Sequence, residues 1–132
     1  DRYEVIYNIE LAELFLIQEN KEKCYHYYHQ AQQIDQDTIE ILLDYAHAKF
    51  ELGDLEDAVQ LLMDHIEYHD KDARIFYRIA SYTFTQGRFE KGYNFLHAAL
   101  KLNPKECILL YEFAPFLENN QNITNIIDIY IN

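Results

Sequence analysis

The sequence predicts an all-α repeat protein, on three observations. Large apolar and small residues return together every 34 positions. Within each period the apolar positions fall three and four apart, which is helical spacing. Glycine and proline are scarce, three and two in 132 residues, and no alternating apolar run marks a strand. Hydrophobic residues make up 49% of the chain, enough for a buried core rather than a disordered tail.

The period is read from columns. Ala12, Ala46, Ala80 and Ala114 form one, and Leu11, Tyr45, Ile79 and Phe113 precede it. Leu16, Phe50 and Phe84 form another, broken by Glu118, and Tyr28, Leu62, Leu96 and Tyr130 a fourth. Cys24, Ala58 and Gly92 are all small, and Ala31 and Ala99 flank His65 in the remaining column.

Each unit divides into two helices. In the second and third units the first helix carries Leu42, Tyr45, Ala46 and Phe50, then Phe76, Ile79, Ala80 and Phe84. Gly53 and Gly87 follow, suited to the left-handed conformation that ends a helix. Asp54 is expected to cap the next helix, with Asp57 three residues on. The second helix carries Leu55, Ala58 and Leu62, then Phe89, Gly92 and Leu96, whose small members let the two backbones approach. Asn103 and Pro104 are expected to open the fourth unit as cap and first turn. Pro115 should kink or restart that helix. After a turn at NNQN (119–122), Ile123, Ile126, Ile127 and Tyr130 should pack back, leaving Ile129 and Ile131 to face elsewhere.

With ALKLNP, GRFEKG and GDLEDA in this register, the chain resembles the tetratricopeptide repeat family over nearly its whole length. Units fall at 5–38, 39–72, 73–106 and an incomplete 107–132, about three and three-quarter repeats in a single domain of seven or eight helices. The first unit departs most, with Asn8 at a large apolar position and Glu19 at the turn glycine. Gln36 and Asp70 stand where Pro104 would recur. Pentatricopeptide repeats are a related alternative, but an RNA-binding role conflicts with the charge of the chain.

The resemblance implies a right-handed superhelical solenoid of antiparallel helix pairs with a concave groove lined by the first helix of each pair. It places Ile9, Leu43, Tyr77 and Tyr111 in one groove-facing column. Beside it run Ile6, Glu40, Arg74 and Ile108, then Glu10, Asp44, Arg78 and Glu112, with Glu13, His47 and Ser81 in a further row. The implied function is a non-catalytic scaffold that binds a peptide or helix in this groove. The competing reading is a structural spacer or self-association module within a larger repeat protein. Arg74 and Arg78 match the last two basic positions of the two-carboxylate clamp found in some relatives. Ile9, Glu13 and Asp44 replace its other polar residues, so the clamp is incomplete. Pairing of Arg78 with Asp44 or Glu112 is the plainer account.

Charge narrows the partners. The net charge is −12 and the pI near 4.7. Nucleic-acid binding draws on cations that displace counterions, and only Arg74 and Arg78 lie close together, so neither nucleic acid nor an anionic membrane is expected. No stretch has the length and apolarity of a bilayer span. A protein or peptide partner is expected, together with a homodimer contact through the apolar C-terminal segment. Asp1 in place of a methionine reads as an excerpt of a longer protein. Cys24 and Cys107 fall in the first and last units and are expected to be reduced, which fits a cytoplasmic setting.

No catalytic signature or cofactor is expected. His65 and His69 are spaced i,i+4 and His26 and His29 i,i+3, but HIEYH lacks the glutamate placement of HExxH. No Cys/His quartet exists for zinc, and His65 is expected to pack against a neighbouring helix. DQDTIE (35–40) lacks the central glycine and length of a calcium loop. NIT (122–124) matches a glycosylation sequon, relevant only in a secretory context.

Overall fold

The computed structural model describes residues 1–132. It contains eight α-helices and no strand: α1 (Arg2–Ile17), α2 (Lys21–Ile34), α3 (Ile39–Glu51), α4 (Leu55–Asp64), α5 (Ala73–Thr85), α6 (Phe89–Leu102), α7 (Leu109–Phe113) and α8 (Gln121–Ile131). Short 3-10 segments cover Ile66–Tyr68, Pro104–Glu106 and Pro115–Asn119. The helices group into two compact units, Asp1–Tyr68 and His69–Asn132.

The turn between paired helices is the same device three times. Asn20, Asp54 and Arg88 donate their amides to the carbonyls of Phe15, Lys49 and Thr83, at 2.9, 2.8 and 2.9 Å. Glu19, Gly53 and Gly87, one residue earlier in each case, donate to Leu16, Phe50 and Phe84. This double closure needs a left-handed residue at the turn, and φ is +57°, +89° and +79° at Glu19, Gly53 and Gly87. Glu19 therefore adopts the turn geometry despite its Cβ.

In the first unit α1 packs on α2, α2 on α3 and α3 on α4. Ala12 and Cys24 are fully buried, with Tyr28, Tyr45 and Ala48 beside them. The Tyr28 and Tyr45 rings stack with centroids 5.7 Å apart. Asp54 does not cap α4 through its side chain. Its carboxylate instead accepts from Tyr25 Oη at 2.7 Å and Lys21 Nζ at 3.2 Å, tying the start of α4 to α2. Two outside donors outcompete the local amides, and those same bonds hold the Asp54 carboxyl below its usual range.

In the second unit α5 and α6 form the main pair. Gly92 lies against Phe84: a Cβ there would come within 2.7–2.9 Å of the ring. The expected fourth unit is broken up. Asn103 Oδ1 accepts from Lys105 N, so Asn103 caps the 3-10 turn at Pro104 rather than an α-helix, and α7 starts only at Leu109. α7 ends at Phe113, and Pro115 opens a second 3-10 segment, the restart expected of a residue without an amide hydrogen. The predicted turn at 119–122 is shorter than expected, because Asn120 already caps α8 by accepting from Ile123 N. Ile123 and Ile127 are buried, with Ile126 and Tyr130 packed beside them, while Ile129 and Ile131 are exposed. The Tyr130 hydroxyl lies 2.7 Å from His97 Nδ1, fastening α8 to α6.

Candidate functional site

The first unit holds a cleft of about 690 Å³. One wall is α1, through Arg2, Val5, Ile6 and Ile9, and the other is α3, through Glu40, Ile41 and Asp44. Ile34, Asp35 and Thr38 close one end. Helical periodicity places Val5 and Ile9 one turn apart on α1, and Glu40 and Asp44 one turn apart on α3. The Thr38 hydroxyl donates to Asp35 Oδ2 at 2.7 Å, and Asp37 N donates to Asp35 Oδ1 at 3.2 Å, which fixes the linker at the cleft end.

The chemistry is an aliphatic lining interspersed with acidic groups. Val5, Ile6, Ile9, Ile34 and Ile41 supply the aliphatic part. Asp1, Asp35, Glu40 and Asp44 set four carboxylates against the single guanidinium of Arg2. Such a surface favours a ligand with aliphatic side chains and basic groups.

Of the residues expected in the groove column, Ile9 lines this cleft and Leu43 does not: it is buried, at 8% exposure. Asp44 also lines the cleft. Glu13 is exposed on α1, and His47 lies 3.5 Å from Glu51 on α3. The sequence columns missed Asp1, Arg2, Val5, Ile34, Asp35, Thr38 and Ile41. Ile34 and Thr38 belong to the end of a second helix and its linker, which a count of first helices omits.

In the second unit the expectation for Tyr77 is corrected. Tyr77 is fully buried, and its hydroxyl donates to the Asn103 carbonyl at 2.8 Å. It sits among Ala73, Ala80, Leu96 and Leu110 in the core, so it closes α5 onto the end of α6 rather than facing a groove. Ser81, also fully buried, places its hydroxyl 2.8 Å from Tyr77 O and 3.0 Å from Leu110 O. The cause is α7, which packs on α5 and covers that face. Tyr111 is half-buried on α7, where burial raises its phenol pKa, and Glu112 is exposed.

Arg74 and Arg78 make different contacts. Arg74 folds back on the residue that caps its own helix, with Nη2 2.8 Å and Nε 3.3 Å from Asp72 Oδ2. Hydrogen bonding from Arg74 holds the Asp72 carboxyl below its usual range. Arg78 lies over the Phe113 ring, 3.8 Å from its centroid, a cation–π arrangement on α7. Both guanidinium groups are engaged within the unit.

His65 has a structural role. Its Nδ1 lies 2.8 Å from the Leu61 carbonyl, which only accepts, so Nδ1 carries the hydrogen. Nε2, 2.8 Å from Gln32 Nε2, then accepts and joins α2 to the end of α4. No group of three His, Cys, Asp or Glu side chains is placed to hold a metal ion. Both cysteines are free, and no helix is long and apolar enough to cross a membrane.

A sequence model of the tetratricopeptide repeat family matches residues 25–78, from α2 into α5. Such repeats are generally non-catalytic protein–protein interaction modules. A search of the curated proteins finds no match.

Proposed function

We propose, from the tetratricopeptide repeat match over residues 25–78, that the chain is a non-catalytic scaffold whose α1–α3 cleft binds a peptide of mixed aliphatic and basic character. One observation carries this reading: the cleft is lined by five aliphatic side chains together with four carboxylates and one arginine. Aliphatic burial supplies affinity, and the charged groups select sign and register. The Tyr77 and Arg74 contacts within the second unit leave the first unit as the better ligand surface.

The test is selection from a randomised displayed peptide library against the whole chain and against a Glu40→Lys/Asp44→Lys variant. Selected peptides should combine Leu, Ile or Val with Lys or Arg. They should lose about ten-fold in affinity to the variant, a change of about 1.4 kcal/mol, and weaken with added salt. Circular dichroism checks that the variant is folded. Acidic selected peptides, or affinities indifferent to the charge reversal, would refute the reading.

A second reading, self-association through the C-terminal helix, is supported by Ile129 and Ile131, at 74% and 54% exposure. Deleting residues 123–132 would not test it, because Ile123 and Ile127 belong to the core. Ile129→Ser/Ile131→Ser leaves those residues in place. If this reading holds, light scattering shows a dimer for the parent chain and a monomer for the variant. A monomeric parent chain removes it.

A further inference from the structure

Helix α1 is apolar on two sides. Its inner side supplies Ala12, Phe15 and Leu16 to the core of the first unit. On its outer side Tyr3, Tyr7, Leu14 and Ile17 are 83%, 62%, 47% and 81% exposed. A helix on a protein surface ordinarily turns a polar face outward. These four residues, with Glu10, stand at steps of four, three, four and three along the helix. At 3.6 residues per turn they fall within an arc of roughly 80° and run about 21 Å along the axis. That alternation is the spacing of a seam between two paired helices. Ile9, on the cleft wall, lies about 120° around the helix from the centre of this arc.

The charge on the seam specifies its occupant. Glu10 is exposed at the midpoint, seven residues from both Tyr3 and Ile17, and Glu13 is exposed beside it. A second copy pairing through the same seam in register, parallel or antiparallel, would bring Glu10 against Glu10. A helix carrying Lys or Arg at its own midpoint would instead place opposite charges there. Large exposed apolar patches mark interaction sites, and here the central carboxylate selects against self-pairing.

We propose that the outer face of α1 docks an amphipathic helix of another polypeptide, one with an apolar seam and a lysine or arginine at its centre. Ile6, a cleft residue on the same helix, lies about 60° from the centre of the arc and borders this surface, which does not depend on the cleft's being a ligand site.

The experiment uses the whole chain and two labelled synthetic helical peptides of about three heptads. Both carry leucine at the seam positions, and they differ only in a central Lys or Glu. By fluorescence anisotropy the Lys peptide should bind about ten-fold tighter or better, a step of about 1.4 kcal/mol. Glu10→Lys should reverse the preference. Tyr3→Ser/Ile17→Ser, at the two most exposed large apolar side chains, should weaken the Lys peptide about ten-fold, whereas Glu40→Lys/Asp44→Lys should leave it unchanged. Failure of both peptides to bind, equal binding of the two, or loss of binding with the cleft variant alone would overturn the proposal. So would a wild-type dimer by light scattering that Tyr3→Ser/Ile17→Ser converts to monomer, since the occupant would then be a second copy.

Discussion

Replacing Gly92 by alanine tests the closest helix contact in the second unit. A Cβ at this position meets Phe84 Cδ1, Cε1 and Cγ at 2.7, 2.8 and 2.9 Å. Phe84 is 1% exposed and hemmed in by Phe89 and Tyr93, whose ring centroids lie 5.6 and 5.2 Å away. Overpacking of this kind costs about 1–3 kcal/mol, and the better helix propensity of alanine returns about 1. Gly92→Ala should therefore destabilise the chain by about 1 kcal/mol, the middle of the resulting range. In a Phe84→Leu background the clash is relieved and propensity remains, so the same change should stabilise by up to about 1 kcal/mol. The sign inversion amounts to a coupling of about 2 kcal/mol. Urea unfolding followed by circular dichroism on the four chains measures it. If Gly92→Ala raises the midpoint in the parent chain, the approach of α6 to Phe84 is not what keeps this position small.

Further outcomes follow from other contacts. Glu19→Gly should raise stability by up to about 1 kcal/mol, because relief of about 1–2 kcal/mol of left-handed strain outweighs about 0.4–1 of added chain entropy. Gly53→Ala should lower it by a similar amount although its Cβ would meet nothing within 4 Å; thermal unfolding checks both. Tyr77→Phe should cost about 1 kcal/mol through its lost bond to the Asn103 carbonyl, and Tyr77→Ala about 3–5; a Tyr77→Ala chain as stable as the parent would return Tyr77 to the surface. The folded-state pKa of Asp72 is lowered, so its ionised form stabilises the fold above the unfolded-state pKa, and this is lost as pH falls through the folded value. Asp72→Asn keeps a capping side chain but removes that charge. Its stability should fall below the parent's at neutral pH and converge with it in acid, and parallel urea midpoints across the titration would refute the Arg74–Asp72 contribution.

The sequence makes the elements legible where a local requirement is unavoidable. Gly53 and Gly87 announce their turns because the backbone there needs positive φ, and Pro115 announces its restart because it has no amide to donate. Glu19 gives no such residue-level signal. Only its register with the two glycines identifies the turn, since the closing hydrogen bonds impose a conformation that glutamate itself disfavours. Asp54 departs from its expected role for a related reason: a carboxylate beside a helix start reads as a cap, but its donors, Lys21 and Tyr25, come from another helix. Tyr77 exposes the limit of column reasoning. A period of 34 residues identifies equivalent positions along the chain and says nothing about depth. Ile9 lines an open cleft, whereas α7 lies over α5 and turns the equivalent Tyr77 and neighbouring Ser81 into core. The acidic part of the cleft lining was partly visible through Glu40 and Asp44; closure of the cleft by Ile34 and Thr38 depended on the path of a linker that no periodicity encodes.

The segment from Pro104 to Asn119 has a consequence for how the second unit opens. Its only α-helical piece is five residues, far below the length at which a helix persists alone in water. Two 3-10 stretches flank it, each with little internal hydrogen bonding to lose. Its order is borrowed from Leu110, Ala114 and Leu117, which are fully buried against the rest of the unit. Loosening α8, which packs on both 3-10 stretches, withdraws the support from the whole segment at once. Amide exchange from Cys107 to Asn120 is then a gauge of α8 docking, and an event at the C-terminal helix becomes readable some twenty residues earlier in the chain.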